Sequence, residues 1–219
     1  MIIIGDVAGE YDALKFLADL YKGERICLVG DLIDRGPKSK EVVQFCIDNK
    51  DRVDVVMGNH EHMFLDWYDY HNDRTYNRLY SGDDWISNGG LQTLQSYGES
   101  INIPKEHIDF LRALPKKRFY KNVIVTHAPM HRYMADNDFM LLWNRQEPYE
   151  IEETLQVFGH NSFWGYMPFG DPKDPWAICI DTSRDGMLTA LLIDDNNGKI
   201  RGSEGVVLSH AKKNQGAEL

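Results

Sequence analysis

What this chain has little of narrows it first. It carries three cysteines, an odd number, in the apolar stretches ICLV (Cys27), VQFCI (Cys46) and AICID (Cys179). That argues against a disulfide scaffold and for a reducing compartment. The spacing fits no zinc motif, so small core residues are the plain reading. Positive charge is scarce: 24 Lys and Arg face 34 Asp and Glu, a net charge of −10. Such a surface repels polyanions and argues against nonspecific nucleic-acid binding, although a metal ion would still draw phosphate in locally. No apolar run approaches membrane-spanning length, and no basic stretch followed by a long apolar one opens the chain. A cytoplasmic protein with no membrane partner is therefore expected.

What is present suits one domain with a substantial core: 219 residues, 42% hydrophobic. Residues 1–208 are expected to form it, with 209–219 as a frayed tail. Short β-rich runs lie at 1–4, 25–29, 53–57, 123–126, 155–158, 177–180 and 187–193, most of them continuously apolar, as strands covered on both faces should be. Between the early ones, Tyr11 to Tyr21 and Ser39 to Asn49 show helical periodicity, with Ser39 as the expected N-cap. Strand–helix–strand alternation predicts an α/β fold with parallel pairing. The last two runs are separated only by TSRDG and are expected to form a hairpin. Residues 61–100, rich in Trp, Tyr, Asp and Asn, read as helices joined by loops.

Each strand end delivers a polar side chain. After 1–4 comes Asp6, after 25–29 come Asp31, Asp34 and Arg35, after 53–57 come Asn59, His60 and Glu61, and after 123–126 and 155–158 come His127 and His160. The carboxyl ends of strands are where open α/β sheets bind ligands, so these groups should converge. Carboxylate, amide oxygen and imidazole are ligands for Mn, Fe and Zn, and a guanidinium matches phosphate. Two acids as close as Asp31 and Asp34 share a buried site only where a metal or histidine balances them.

Taken singly, such residues mean less. His71, His107, His131 and His210 read as structural or exposed, and His62 as a rim residue on a first helical turn. Glu61 reads as a helix N-terminal carboxylate, and Lys116-Lys117-Arg118 as a solvated patch. Among the aromatics of 61–100 (Trp67, Tyr68, Tyr70, Tyr76, Tyr80, Trp85), packing on the core is preferred to stacking on a base.

The motifs GD-x-x-G, GDLIDRG and GNHE, followed by His127 and the Gly159-His160 pair, resemble the phosphoprotein phosphatase branch of the calcineurin-like metallophosphoesterases across nearly the whole chain. LLWNR, ending at Arg145, and W-x-x-NGG-x-x-T, Trp85 to Thr93, resemble its compact bacteriophage and bacterial subgroup typified by lambda phosphatase; diadenosine tetraphosphatases are near neighbours. The resemblance implies a sandwich of mixed β-sheets flanked by helices. It implies two divalent ions, Mn first and Fe, Zn or Mg as alternatives. Asp6 would bind the first, Asp31 both, and Asn59, His127 and His160 the second. His60, paired with Asp34, would be the general acid, and Arg35 and Arg145 would hold phosphate. The implied reaction is one-step attack by metal-bound hydroxide on phosphate monoesters, of phosphoproteins foremost. Nucleotide hydrolysis is the alternative, and a non-catalytic phosphate-binding protein the third reading.

The family's first motif reads GD-x-HG. Here Ala8 stands where its histidine should be. The expectation is a weakened or substrate-trapping form, and the integrity of every other site residue favours deliberate replacement over drift. The third residue of Asp181-Thr182-Ser183 also departs from a common family glycine.

Overall fold

Alternating apolar runs and amphipathic helices build the first sheet in the computed structural model, which describes residues 1–81, 83–99, 102–194 and 196–208. Strands β1 (Ile2–Ile4), β2 (Ile26–Leu28) and β3 (Val53–Val55) pair in parallel, as expected. Helices α1 (Tyr11–Leu20) and α2 (Ser39–Asp48) make the crossovers. Leu14, Leu17, Val42, Val43 and Cys46 are buried against Ile2 and Ile4, while Ile3 packs in a second cluster with Val125, Val157 and Ile178. Alternation along β1 thus joins the helical layer to the neighbouring sheet, each buried Ile contributing about 1.5–3 kcal/mol. Ser39 is the first helical residue of α2, not its N-cap; Lys38 takes that position. The Ser39 hydroxyl instead accepts the Asp34 N–H at 3.1 Å.

The sheet order is β10-β9-β1-β2-β3, and the second sheet runs β4-β5-β6-β8-β7. Its members are β4 (Lys117–Tyr120), β5 (Val123–Thr126), β6 (Leu155–Phe158), β7 (Gly165–Asp171) and β8 (Asp174–Asp181); β9 (Met187–Ile193) and β10 (Ile200–Val207) complete the first. The α/β sandwich expectation is met, with both sheets mixed.

The expected hairpin of the last two runs is not. β8 pairs with β6 and β7, whereas β9 pairs with β1 and β10, so TSRDG crosses from one sheet to the other. Both strands are buried over most of their length, β8 between β6 and β7 and β9 between β1 and β10. Strands β4, β7 and β10 carried no apolar signal because they are edges, rich in charge, Gly or Pro and partly exposed. The cysteines are buried and free, as read.

In the 61–100 segment, α3 (Asn59–Asn72) is followed by a π-helical turn at Ile86–Gly90 and by α4 (Leu91–Ser96). Trp67 and Trp85 are buried with Phe64, ring centroids 4.6 and 5.1 Å from Trp85, so the packed reading holds for them. Helices α5 (Lys105–Arg112) and α6 (Asp138–Trp143) complete the chain, the latter capped by the Asn137 side chain accepting the Met140 N–H. The expected tail 209–219, with His210, lies outside the described residues.

Candidate metal centre

The carboxyl ends of β1, β2 and β3 from one sheet meet those of β5 and β6 from the other. Gly5 lets this happen: a Cβ there would sit 2.3 Å from the Ile180 carbonyl oxygen. The turns that follow are strained. Ala8, Asp31, Asp34, Arg35 and His160 have φ of 48°, 46°, 76°, 60° and 64°. Left-handed backbone costs a non-glycine residue on the order of 1–3 kcal/mol, and such strain gathers where a site needs it.

All five expected ligands come together and all are buried. Ligand atoms of Asp6, Asp31 and His127 lie within 4.8 Å of one another. His127 Nδ1 is 2.9 Å from the Val29 carbonyl oxygen, which only a protonated Nδ1 can satisfy. That leaves Nε2 a bare lone pair. Yet Nε2 lies 2.8 Å from Asn59 Oδ1 and 3.4 Å from Asp31 Oδ1, both acceptors. His160 differs: its Nδ1–H can donate to Asn59 Oδ1 at 2.9 Å, which leaves the lone pair of its buried Nε2 with no hydrogen-bond partner. Burial holds both imidazoles neutral, His160 down to about 2. Burial and then the Asp181 and Asp31 charges push Asp6 well up; burial opposes Asp31, but its neighbours His127, His60 and Arg35 outweigh it and hold that carboxyl down. The bare His127 Nε2 repels the oxygen acceptors it faces unless a cation lies between them, and the His160 Nε2 lone pair is unpaired, so these residues fit divalent ions.

Ala8 is buried and brings no donor atom. Its backbone still builds the site: its N–H donates to the Asp31 carbonyl at 2.7 Å and its carbonyl accepts from Gly36 at 2.9 Å.

Beside the carboxylates, His60 Nδ1 is 2.6 Å from Asp34 Oδ2, and Arg35 donates to His60 Nε2 at 2.8 Å. Thr93 also donates to Asp34 Oδ1, at 2.6 Å, and the Trp85 indole reaches both Asp34 oxygens. Gly89, at φ 110°, lies where a Cβ would meet the Arg35 nitrogen at 2.7 Å. W-x-x-NGG-x-x-T is therefore the cradle of Asp34, a role its wording signalled but the sequence could not assign. Burial lowers His60, and the Asp31 and Asp34 charges more than reverse it.

Glu61 exceeds its expected helix-cap role. It accepts N–H groups from Gly58 at 2.8 Å, Asp31 at 2.9 Å and Leu32 at 2.8 Å, clamping the β2 loop to α3. Burial and the Asp31 charge push it up to about 8 against those donors. Arg145 is exposed and donates to the His160 carbonyl at 3.0 Å and Asn161 Oδ1 at 3.1 Å. Asp181, assigned no role from the sequence, is buried and helps to raise the Asp6 pKa. His62 lies half-buried on α3 beside Tyr80, and Lys116 and Lys117 pair with exposed Asp138 and Asp136. A concavity of about 650 Å³ opens at the other ends of β5, β6 and β8, around Asn122, Leu155 and Trp176; the convergent chemistry is not there.

Comparison with known proteins agrees. The sequence model of the calcineurin-like phosphoesterase family matches residues 1–171. A symmetrical bis(5'-nucleosyl)-tetraphosphatase of Legionella pneumophila is 27% identical over 183 residues, 80% of this chain and 58% of that protein. Its Neisseria gonorrhoeae counterpart is 40% identical over 62 residues, 26% of this chain and 22% of that protein. The chain thus spans less than two thirds of the length of these relatives. A crystal structure provisionally assigned as a diadenosine tetraphosphatase superposes with a TM-score of 0.65 at 21% identity, over 93% of this chain and 92% of that one, a likeness of fold.

Proposed function

The chain belongs to the calcineurin-like phosphoesterase family, and from that premise we propose that it is a two-metal phosphohydrolase acting on nucleotides with a polyphosphate chain, dinucleoside polyphosphates foremost. The observation that carries the metal chemistry is the bare His127 Nε2 facing the Asn59 and Asp31 oxygens. The tetraphosphatase names of the relatives favour nucleotides. The phosphoprotein reading, tied to the lambda phosphatase-like motifs, becomes the second one.

Asp6 and Asp31 would hold the first ion, and Asp31, Asn59, His127 and His160 the second. When bound, such ions supply positive charge to phosphate oxygens and acidify water near neutrality. Manganese remains the expected metal, since an oxygen-rich first site suits Mn or Mg. Arg35 and Arg145 orient the phosphate as planar donors. His60 gives its Nε2 proton to the leaving oxygen, while Asp34 fixes the ring through Nδ1. Arg35 covers that Nε2 in the free protein. A phosphate that draws Arg35 to itself therefore frees Nε2 to take up from water the proton that it then gives to the leaving oxygen, and does so only when substrate is present. With Ala8 in place, the first ion is held weakly and turnover is slow.

The test is a substrate panel with manganese, using the Ala8 chain and its Ala8→His variant: diadenosine tetraphosphate, ATP, a phosphoserine peptide and p-nitrophenyl phosphate. Fastest turnover on the polyphosphates is expected. Turnover of the peptide with both nucleotides untouched would sink the nucleotide reading.

A further inference from the structure

Two aromatic groups with an exposed ring lie close to the site residues, one against His160 and one following it in the chain, and the chemistry above uses neither. The first is on α6. Trp143 sets its ring perpendicular to that of His160, centroids 6.0 Å apart, and donates its indole N–H to the Tyr80 hydroxyl at 3.0 Å. That hydroxyl also lies 2.7 Å from His62 Nδ1, so the indole is fixed in plane and position. Phe139 stacks on Trp143 at 6.1 Å and 23° and stays 59% exposed.

The second follows β6. Phe163 lies three residues beyond His160, is 78% exposed, and has the Arg184 guanidinium 4.3 Å from its ring centroid. Arg184 in turn lies three residues beyond Asp181, in the turn that leaves β8. One group therefore stands by His62 and Tyr80, and the other by the β8 end that approaches Asp6.

Single exposed apolar side chains are ordinary. Here each is a flat ring braced by a second planar group; one touches His160, and the other lies within three residues of His160 and of Asp181 in the chain. Flat faces beside a phosphate site suit nucleobases, because every base has a π-face to stack. Guanidinium adds a cation–π partner. Two such faces suit a ligand with a base at each end of its phosphates. We propose that Phe139–Trp143 and Phe163–Arg184 are two base-stacking subsites, one for each nucleoside of a dinucleoside polyphosphate, an assignment that rests on the phosphohydrolase reading of the centre. Specificity then lies in the number of stacked bases more than in their identity.

The experiment is calorimetric binding with manganese, comparing a methylene-bridged, non-hydrolysable diadenosine tetraphosphate with inorganic tetraphosphate, which has no bases. Phe139→Ala and Phe163→Ala should each weaken the dinucleotide about 5- to 150-fold, the range that 1–3 kcal/mol per stacked base implies. The double variant should lose roughly the product of the two factors, since the groups are separate. Tetraphosphate should bind all variants alike, and Phe139→Trp should keep dinucleotide affinity. Unchanged dinucleotide affinity in either alanine variant, or equal losses for both ligands, overturns the assignment while leaving the phosphohydrolase reading standing. A phosphoserine peptide weakened as much as the dinucleotide assigns the rim to peptides and also overturns it. Absence of manganese-dependent tetraphosphate binding in the unsubstituted chain overturns both.

Discussion

The Trp85 indole N–H donates to both carboxylate oxygens of Asp34, at 3.1 and 3.0 Å. Asp34 thereby has donors from Trp85 and Thr93 as well as its contact with His60, and its ring partner has one available orientation. If His60 is the acid, Trp85→Phe should slow substrates with poor leaving groups, which need the proton, by roughly tenfold or more. p-Nitrophenyl phosphate, whose leaving group needs little protonation, should change much less. Paired rate measurements on alkyl and nitrophenyl phosphates check this; equal losses would reduce Trp85 to a packing residue.

Ala8→His restores an imidazole beside Asp6 and Asp31. Manganese titration by calorimetry should show one of two sites tightened by at least about 10–100-fold, the penalty typical of losing even a supporting partner of a metal ligand. The other site should be unmoved. Identical titrations of both proteins would contradict the assignment of position 8.

Asp6 gives a stability test in chelated protein. Burial, then Asp181 and Asp31, raise its folded pKa above the unfolded value of about 3.9. A raised acid is neutral in the fold at low pH and must charge there as pH climbs, so it removes stability as pH rises from about 4 through the folded value. Asp6→Asn should therefore raise the melting temperature of the chelated protein at neutral pH by a few degrees, about 1 kcal/mol being worth 2–4 °C at this size. It should also shrink the gain on adding manganese. A lower melting temperature in chelator would show that Asp6 is already compensated.

Glu61→Gln keeps the shape of the clamp but presents an amide where three N–H groups converge. Loss of about 2–3 kcal/mol in urea unfolding is expected, from unsatisfied buried donors, along with weaker manganese binding because the Asp31 turn loosens. Full stability with intact binding would mean the loop holds itself.

His107 is a pH probe remote from the centre. Its Nδ1 is 2.7 Å from the Tyr97 hydroxyl and its Nε2 2.9 Å from Gln44 Oε1. Burial first, and Lys40 with it, lower its pKa below the unfolded 6.5. A depressed histidine contributes fully above the unfolded value, and that contribution is lost as pH falls below about 6.5 toward the folded value. His107→Gln should flatten the difference in urea midpoint between pH 7.5 and 5.5; parallel shifts would refute it.

The candidate site was legible because its signals are local. A glycine and an acid or histidine at the end of an apolar run say where a strand stops and what it carries, and five such ends in one α/β chain have few places to go but together. Helices α1 and α2 were legible for the same reason, their stripes being set within two or three turns. The edge strands β4, β7 and β10 were not, since an edge needs no apolar run, and the crossing of TSRDG was hidden because strand pairing is set by contacts beyond the turn. The partners of Asp34 come from residues 51 and 59 positions away, and the left-handed turns at Asp31, Asp34 and His160 exist only because the surrounding contacts outweigh their strain. The sequence by itself determined which side chains with oxygen and nitrogen donors follow the strands and that position 8 carries none; tertiary packing decided how they are aimed, because orientation is a property of contacts between distant segments.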